Sequence, residues 1–170
     1  MNWNETFINL THSIAIKSKD TSTKVGAVIV GQSNEIISCG YNGLARGLDD
    51  NKEERHIRPL KYKYFEHAER NAIYNAARIG SSTLNSVIYC NLHPCSDCMR
   101  GIIQSGIKKI YIHKEFVDEF FKFHNTNNVW KEDMELAKNM ADEVNIPIEY
   151  VSTKIVIPKP IINGKDIDLF

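Results

Sequence analysis

The chain has 170 residues, the size of one ordinary domain, and its 21 acidic residues balance its 21 basic residues. A neutral chain without a block of like charge lacks the electrostatic footprint of a protein that binds duplex DNA or structured RNA. No segment is apolar over the length of a membrane span, and the first residues do not have the pattern of a secretory signal. Four cysteines in a chain of this size do not indicate a secreted disulfide scaffold. We therefore expect a cytoplasmic protein (host cytoplasm, if viral) that acts on a small molecule, with no membrane and no stable nucleic-acid partner.

Hydrophobic periodicity predicts an initial helix whose apolar side chains recur on one face. These side chains are Trp3, Phe7, Leu10 and Ile14. The apolar run 25–30 predicts a strand, and the turn residues 31–34 connect it to a second strand over 35–40. The two strands are therefore expected to form a hairpin. The polar segment 43–62 is typical of a long functional loop.

The rest of the chain alternates helical and strand patterns. The predicted helices cover about 66–78, 96–104 and 131–144, and the predicted strands cover 86–90, 109–113 and 146–151. Such alternation predicts an α/β protein with a mainly parallel sheet. We expect one domain over residues 1–153, followed by an extended C-terminal tail over 154–170 that contains two prolines and a glycine.

The most informative motif combines His67-Ala68-Glu69 with Pro94-Cys95-Ser96-Asp97-Cys98. His67, Cys95 and Cys98 are soft-to-borderline ligands that suit a zinc ion, Zn2+, whereas Glu69 is not needed as a ligand. Three protein ligands, an open position for water and a separate proton carrier are the requirements of a hydrolytic zinc site. Because Cys95 and Cys98 are three residues apart at the start of a predicted helix, both sulfurs face the same side.

The chemistry of this motif favours hydrolysis of an aromatic amine. Zinc lowers the pKa of a bound water to about 7, which supplies a nucleophile at neutral pH. Both halves of the motif lie at helix starts, where the positive dipole end favours thiolates. Glu69 is the candidate catalytic residue, which would take the water proton and protonate the ring nitrogen and the leaving amine. The motif resembles the signature of the zinc deaminases, H-x-E followed by P-C-x-x-C.

Two plainer interpretations of the same residues stay open. A structural zinc site needs a fourth Cys or His ligand, which His93 or His113 could supply, although such a site has no use for Glu69. A C-x-x-C pair alone would also fit a redox pair.

Beyond the zinc motif, most of residues 1–151 resembles the deoxycytidylate (dCMP) deaminases. The matching segments are Ser18-Lys19-Asp20, 22–27, Gly40-Tyr41-Asn42-Gly43, Lys61-Tyr62-Lys63-Tyr64, 67–73, 94–98 and 103–109. Nucleoside cytidine deaminases usually have cysteine where His67 stands, and the tRNA adenosine deaminases lack the Gly-Tyr-Asn-Gly element. The resemblance therefore favours the dCMP enzymes over these two relatives.

This resemblance implies a fold, a reaction and partners. The fold would be a three-layer α/β/α sandwich of the cytidine deaminase type around a mixed five-stranded sheet. The reaction would be hydrolysis of dCMP to dUMP and ammonia, which supplies thymidylate synthesis. Members of the family commonly form homohexamers that bind dCTP as an activator and dTTP as an inhibitor.

The resemblance also implies ligand contacts. Asn42 would hydrogen-bond the sugar, although an asparagine between glycines is also typical of a plain turn. Tyr64 would bound the pyrimidine, and its alternative is an ordinary core position. Lys24 and Ala68 complete the expected substrate contacts. Contacts to phosphate or effectors are implied for Lys19, Tyr41, Gly43, Arg46, Lys61 and Arg78. The alternative for the lysines and Arg46 is a solvated surface side chain, and the alternative for Arg78 is a helix C-terminal cation.

The chain departs from the family pattern at three places. Ala45 stands where proline is common, His56 alone does not make the second zinc site of some viral members, and the tail has no obvious counterpart. These differences concern regulation more than catalysis. Two other functions remain as alternatives: deamination of another cytosine nucleotide or a polynucleotide, and a catalytically dead zinc-stabilised binding domain, against which the intact Glu69 counts.

Overall fold

The computed structural model describes residues 1–124 and 129–156, together with the backbone of Asn128 and of residues 161–162 and 165–166. The helices are α1 (Trp3–Ala15), α2 (Lys61–Tyr64), α3 (Ala68–Ile79), α4 (Ser96–Gln104), α5 (Lys114–Phe123) and α6 (Asn128–Glu143). The strands are β1 (Gly26–Val30), β2 (Ile36–Tyr41), β3 (Gly43–Leu44), β4 (Phe65–Glu66), β5 (Val87–Cys90), β6 (Lys109–His113), β7 (Ile148–Val151), β8 (Ile161–Ile162) and β9 (Lys165–Asp166). Within the described part of the chain, no helix combines the length and the apolar character needed to cross a membrane.

Five strands form one mixed sheet in the order β2-β1-β5-β6-β7. β1 is antiparallel to both of its neighbours, whereas β5, β6 and β7 are parallel to one another. The mixed five-stranded sheet is confirmed. The expectation of a mainly parallel sheet, drawn from the alternation of elements, is wrong because the β1–β2 hairpin occupies one side and meets β5 in the antiparallel sense.

Side chains alternate between the two faces of this sheet, and both faces are covered. Ala27 and Ile29 of β1 belong to the larger core cluster, which includes residues of α3, α4 and α6. Val28 and Val30 point the other way and pack with Phe7 and Ile8 of α1. Every residue of β1 is buried as a result. The three-layer α/β/α sandwich is thus confirmed, with α1 on one face and α3, α4 and α6 on the other.

Two regions differ from the expected pattern of elements. The segment expected to be a long loop contains β3, a 3-10 turn over Glu53–His56 and the single helical turn α2. α5 was not predicted; its Val117 is buried in the larger core, whereas Phe123 is 84% exposed. The apolar residues Phe116, Val117, Phe120 and Phe121 recur at the spacing of one helix face, so the sequence does carry a signal for this helix.

The described part of the C-terminal segment contains β8 and β9, which pair with each other in the antiparallel sense. The expected prolines and glycine of the tail (Pro158, Pro160 and Gly164) lie outside the described residues. The division into a domain over 1–153 and a tail over 154–170 therefore stays a prediction.

Gly40 of β2 sets how closely α3 approaches the sheet. A Cβ at this position would overlap the backbone carbonyl oxygen of Ala68 and the backbone nitrogen of Ala72. The facing residues of α3, Ala68, Ala72 and Ala76, are fully buried and small. Helix and strand therefore touch backbone to backbone just where the first turn of α3 begins.

We expect Gly40→Ala to lower the free energy of unfolding by about 3 kcal/mol, because the new methyl meets backbone that cannot rotate away. Gly43→Ala is the matched control, since a Cβ there would lie 3.6 Å from a Tyr41 ring carbon, an ordinary contact. Chemical denaturation of both variants measures the difference. Equal stability of the two variants would contradict the close approach of α3 to β2.

Candidate metal and active site

Two helix N-termini meet at one end of the sheet and carry the motif residues. His67 is the N-cap of α3, and Cys95 is the N-cap of α4. The connection from β5 to α4 is fixed by the fully buried Asn91, whose side-chain oxygen accepts a hydrogen bond from the Gly26 amide at 3.0 Å. The local spacing of the motif and the packing of the two helices thus bring distant parts of the chain together.

The three proposed ligands converge on one point. Nδ1 of His67 lies 3.3 Å from Cys95 Sγ and 3.5 Å from Cys98 Sγ, and all three atoms lie within 4.8 Å of one another. In a tetrahedral zinc site, bonds of about 2.0–2.1 Å to nitrogen and 2.3 Å to sulfur place these atoms about 3.6 Å apart. The donor set and its spacing therefore fit a zinc ion.

No fourth histidine or cysteine joins this cluster among the described residues. Nδ1 of His93 contacts the Pro94 carbonyl oxygen at 2.8 Å, and His113 pairs with His12 at 2.9 Å. The arrangement favours a three-ligand site with an open coordination position over the closed structural site considered above.

The charges of the site attract a cation. A hydrogen bond from Cys98 and the proximity of His67 lower the pKa of Cys95 to about 4, whereas hydrogen bonding to Cys95 and burial raise the pKa of Cys98 well above its usual value. Burial acts to lower the pKa of His67, but Cys95 and Glu69 outweigh it, so the net shift is upward. A thiolate is thus already favoured before any metal arrives, and a divalent ion would favour the second one.

Glu69 lies beside the ligands without joining them. Its side chain is only 3% exposed and lines the same cavity as His67 and Cys95. Burial and the neighbouring Cys95 raise the pKa of its carboxyl group. A buried carboxyl group with a raised pKa beside a metal site is suited to take up and release a proton.

The site opens into a cavity of about 110 Å³. The lining residues come from the ligand helices, from the segment around residues 20–25 and 42, from the segment around α2, and from α5 and α6. They are Asp20, Ser22, Thr23, Val25, Asn42, Arg58, Lys61, Tyr62, Phe65, His67, Ala68, Glu69, Leu92, His93, Cys95, Phe120, His124, Trp130 and Met134.

The profile of one protein family, described as "Cytidine and deoxycytidylate deaminase zinc-binding region", matches residues 1–114. This chain belongs to the cytidine and deoxycytidylate deaminase family. It is therefore a deaminase, a hydrolase that acts on C–N bonds, and its His67, Cys95 and Cys98 are positioned as the zinc-binding residues of that family.

Named relatives agree with this membership. The chain is 31% identical to the deoxycytidylate deaminase of Homo sapiens, an alignment that covers 97% of this chain and 90% of that protein. It is 32% identical to a probable deoxycytidylate deaminase of Caenorhabditis elegans over 90% of this chain and 70% of that protein. The fold is similar to the dCMP deaminase of the cyanophage S-TIM5 in complex with dCMP and dUMP, with a TM-score of 0.64, 23% identity, and coverage of 86% and 95% of the two chains.

The deaminase cavity contains some of the residues expected to bind ligands. Asn42, Lys61 and Ala68 line it. Both N–H groups of the Asn42 side chain are used, one to the Thr23 carbonyl oxygen at 2.8 Å and one to Asp20 at 3.1 Å. Its oxygen accepts from the Val25 amide at 2.8 Å. Only the remaining lone pair of that oxygen is therefore available to a ligand, so Asn42 can act as an acceptor but not as a donor.

Lys61 is already paired inside the protein. Its ammonium lies 2.7 Å from both carboxylate oxygens of Asp20, and both side chains are nearly buried. Asp20 also accepts the amides of Ser22 and Thr23 at 2.7 and 3.4 Å. The pair holds the wall of the cavity that carries Asn42.

The other expected contacts do not line the cavity. The Arg55 guanidinium lies 4.9 Å from the centre of the Tyr64 ring, and Lys24 donates to the Ser18 carbonyl oxygen at 2.6 Å. Lys19 pairs with Asp50 at 2.9 Å, and Arg46 donates to Asn75 at 2.7 Å. Tyr41, Gly43 and Arg78 lie outside as well: the Tyr41 carbonyl accepts from Asn71, Gly43 pairs with Glu66 across β3 and β4, and Arg78 is exposed in the last turn of α3.

Several cavity residues were not among the expected contacts. Arg58 and Tyr62 come from the polar segment before the zinc histidine, and Phe120, His124 and Trp130 come from α5, its end and α6. The sequence did carry a signal for Arg58, because this residue lies in the polar segment 43–62 that is expected to be a functional loop. No local pattern could distinguish Tyr62 from Tyr64, because the one-turn helix α2 decides which tyrosine faces the cavity.

We expect the purified chain to bind about one zinc ion tightly, and Cys98→Ser to weaken that binding by about a hundredfold or more. The physical reason is the loss of one of only two thiolate ligands. Competition with a chromophoric chelator measures the affinity. Cys39→Ser is the control, because Cys39 lies in β2 outside the cluster. Equal zinc affinity of the Cys98 variant and the parent would exclude this ligand set.

Proposed function

We propose that this chain is a deoxycytidylate deaminase, which hydrolyses dCMP to dUMP and ammonia. The single observation that carries the proposal is the buried carboxyl group of Glu69 beside a three-ligand metal site, in a cavity open to a ligand. The names of the human and nematode relatives and the Gly40-Tyr41-Asn42-Gly43 element support dCMP as the substrate.

His67, Cys95 and Cys98 would hold the zinc ion, which supplies Lewis-acid activation of water when bound. Glu69 takes the proton that the attacking water loses and delivers it to the ring nitrogen beside the reacting carbon. The water oxygen becomes bonded to that carbon as a hydroxyl group. Glu69 then takes the proton of this hydroxyl and passes it to the exocyclic nitrogen; the carbon–nitrogen bond breaks, ammonia leaves, and the oxygen stays on the carbon as the carbonyl of the product. The raised pKa of the Glu69 carboxyl group suits a residue that both accepts and donates protons during the reaction.

Protein groups around the cavity would orient the nucleotide. The Ala68 amide belongs to the first turn of α3, where backbone N–H groups have no partner within the helix, and it is suited to donate to a carbonyl oxygen of the pyrimidine. The free lone pair of the Asn42 oxygen would accept a hydrogen bond from a sugar hydroxyl. Lys61 lines the cavity but is paired with Asp20, and Lys24 and Tyr64 do not line it, so in the proposal none of these three expected contacts binds the nucleotide.

Arg58 is our candidate for the phosphate. It lines the cavity, and its guanidinium lies 5.7 Å from the centre of the Tyr62 ring. Within the described residues Arg58 forms no ion pair, whereas Lys61 is neutralised by Asp20. A guanidinium without a carboxylate partner at the wall of a cavity is suited to bind a phosphate through paired hydrogen bonds.

Regulation and assembly form a further part of the proposal. Tyr41, Arg46 and Arg78, which were expected to contact effectors, lie along the face of α3 that carries Asn71 and Asn75, outside the cavity. With Lys19 and Gly43, they are candidates for dCTP and dTTP binding between subunits. By similarity to the family we expect a homo-oligomer, and a hexamer in particular.

We expect ammonia release from dCMP to exceed release from CMP, deoxycytidine, cytidine, dCTP and a cytosine-containing oligonucleotide, each assayed with and without dCTP or dTTP.

Arg58→Met should raise the KM for dCMP about tenfold or more, because a charged hydrogen bond is lost, and leave kcat/KM for deoxycytidine unchanged. Arg55→Met is the control, since Arg55 belongs to the same segment but lies over Tyr64. Absence of dCMP turnover under every condition would refute the proposal.

Glu69→Gln should reduce kcat for dCMP by about a hundredfold or more, because the amide keeps the shape of the side chain but cannot carry the proton. The zinc content, measured on the same preparation, should match the parent. Loss of zinc together with activity would show that Glu69 acts as a ligand instead of a proton carrier.

A further inference from the structure

The N-terminal part of α6 is hydrogen-bonded to the start of α4, the helix that carries the two cysteines. Both oxygens of the Asp133 carboxylate contact Ser96, the residue that follows Cys95. Oδ2 accepts a hydrogen bond from the Ser96 backbone N–H at 3.0 Å, and Oδ1 accepts one from the Ser96 hydroxyl at 2.5 Å. One carboxylate of α6 is thus committed to a single residue of α4.

Ser96 needs an acceptor from outside its own helix. The first N–H groups of a helix have no partner within the helix and are usually bonded by the side chain of the N-cap residue. Here the N-cap is Cys95, which forms no such bond, and its sulfur lies with the two other metal ligands. Asp133 therefore supplies the missing acceptor, and its negative charge lies at the positive end of the α4 dipole.

The residues around Asp133 form part of the wall of the deaminase cavity. Trp130 and Met134 both line this cavity, and a spacing of three and one residues places them on the same side of α6 as Asp133. The Trp130 ring also meets the ring of Phe120 edge to face, with 6.3 Å between the ring centres. Because Phe120 lines the cavity too, these contacts form one aromatic wall.

The hydrophobic anchors of α6 lie towards its C-terminal end. Met134, Ala137 and Ala141 are buried in the larger core. By contrast, Val129, the residue before Trp130, is 68% exposed. The turn that carries Trp130 therefore begins before the buried part of the helix, and the hydrogen bonds from Asp133 to Ser96 join this part of α6 to α4.

We propose that Asp133 is a positioning residue of the deaminase cavity. By accepting both hydrogen bonds of Ser96, it fixes the N-terminal part of α6 against the start of α4 and so sets how far the Trp130 wall lies from the metal ligands. Asp133 does not itself line the cavity, so it acts through Trp130 and Met134. Hydrogen bonds to an ionised carboxylate are stronger than those between neutral groups, which suits a contact that holds two helices together.

The expected effect on dCMP turnover rests on the proposed function, but the expected effect on Trp130 does not. The surroundings of Trp130 can be measured in the absence of any nucleotide. Failure of the dCMP assay and failure of this proposal are therefore separate results.

The experiment uses the fluorescence of Trp130. The chain has two tryptophans, so Trp3→Phe leaves Trp130 as its single tryptophan. In this background, Asp133→Ala should move the emission of Trp130 to longer wavelength and increase its quenching by acrylamide, because the wall is released towards water. The same variant should raise the KM for dCMP about fivefold or more with a smaller change in kcat, as expected when substrate binding and not the chemical step is affected.

Asp133→Asn tests whether the hydrogen bonds carry the effect. The amide oxygen can accept from the Ser96 N–H, and the amide N–H can donate to the Ser96 hydroxyl, so emission, quenching and KM should match the parent. Asp142→Ala is the matched control: it removes the same side chain from the same helix, but Asp142 is 57% exposed and pairs with Lys138. This variant should also match the parent.

If Asp133→Ala does not fold, Ser96→Ala removes the hydroxyl partner from the other helix and should shift the emission of Trp130 in the same direction. The proposal is overturned if Trp130 emission and quenching are unchanged in the folded variant. It is equally overturned if Asp133→Asn or Asp142→Ala perturbs Trp130 as much as Asp133→Ala does.

Discussion

The close contact between the start of α3 and β2 is the constraint on which the rest of the structure depends. Gly40 and the small face of Ala68, Ala72 and Ala76 let helix and strand backbones touch. That contact sets the distance between the sheet and the start of α3, where His67 and Glu69 lie. Because α4 starts at Cys95 on the same side, a shift of α3 by even a side-chain width would separate the nitrogen from the two sulfurs.

Hydrogen bonds and ion pairs offset the free-energy cost of burying charged side chains around the site. The Asp20–Lys61 pair is nearly buried, and it is sustained by two backbone amides and by the Asn42 side chain. Such a pair is costly to break, because removal of one partner leaves the other charge without compensation. The network commits the donors of Asn42 to the protein and leaves one acceptor lone pair toward the cavity. Arg70 and Glu66 form a second ion pair, beside Cys98. One ion pair thus belongs to the cavity wall and the other contacts a metal ligand.

The sequence predicted the ligands well for a local reason. Two cysteines three residues apart on a helix must face the same side. Glu69 must lie near His67 because only one residue separates them. Sheet strands and most helices could also be predicted, since their hydrophobic periods are clear. The mixed sheet could not be predicted from the alternation of elements, because β1 and β5 are far apart along the chain and local periodicity does not encode the direction in which distant strands pair. α5 is different, since the helical spacing of Phe116, Val117, Phe120 and Phe121 was present in the sequence.

The sequence by itself determined the metal ligands, the place of Glu69 beside them and the class of reaction, because these follow from residue types at short, fixed spacing. The tertiary structure decided which other side chains share the cavity with them. Arg58 and Tyr62 line it while Tyr64 and Lys24 do not, and Trp130 reaches it from a helix more than thirty residues beyond Cys95. The physical reason is that cavity walls are made by chain segments distant in sequence. Which side chains face the cavity depends on how α2, α5 and α6 pack. Within the single helical turn of α2, the structure decides that Tyr62 and not Tyr64 lines it.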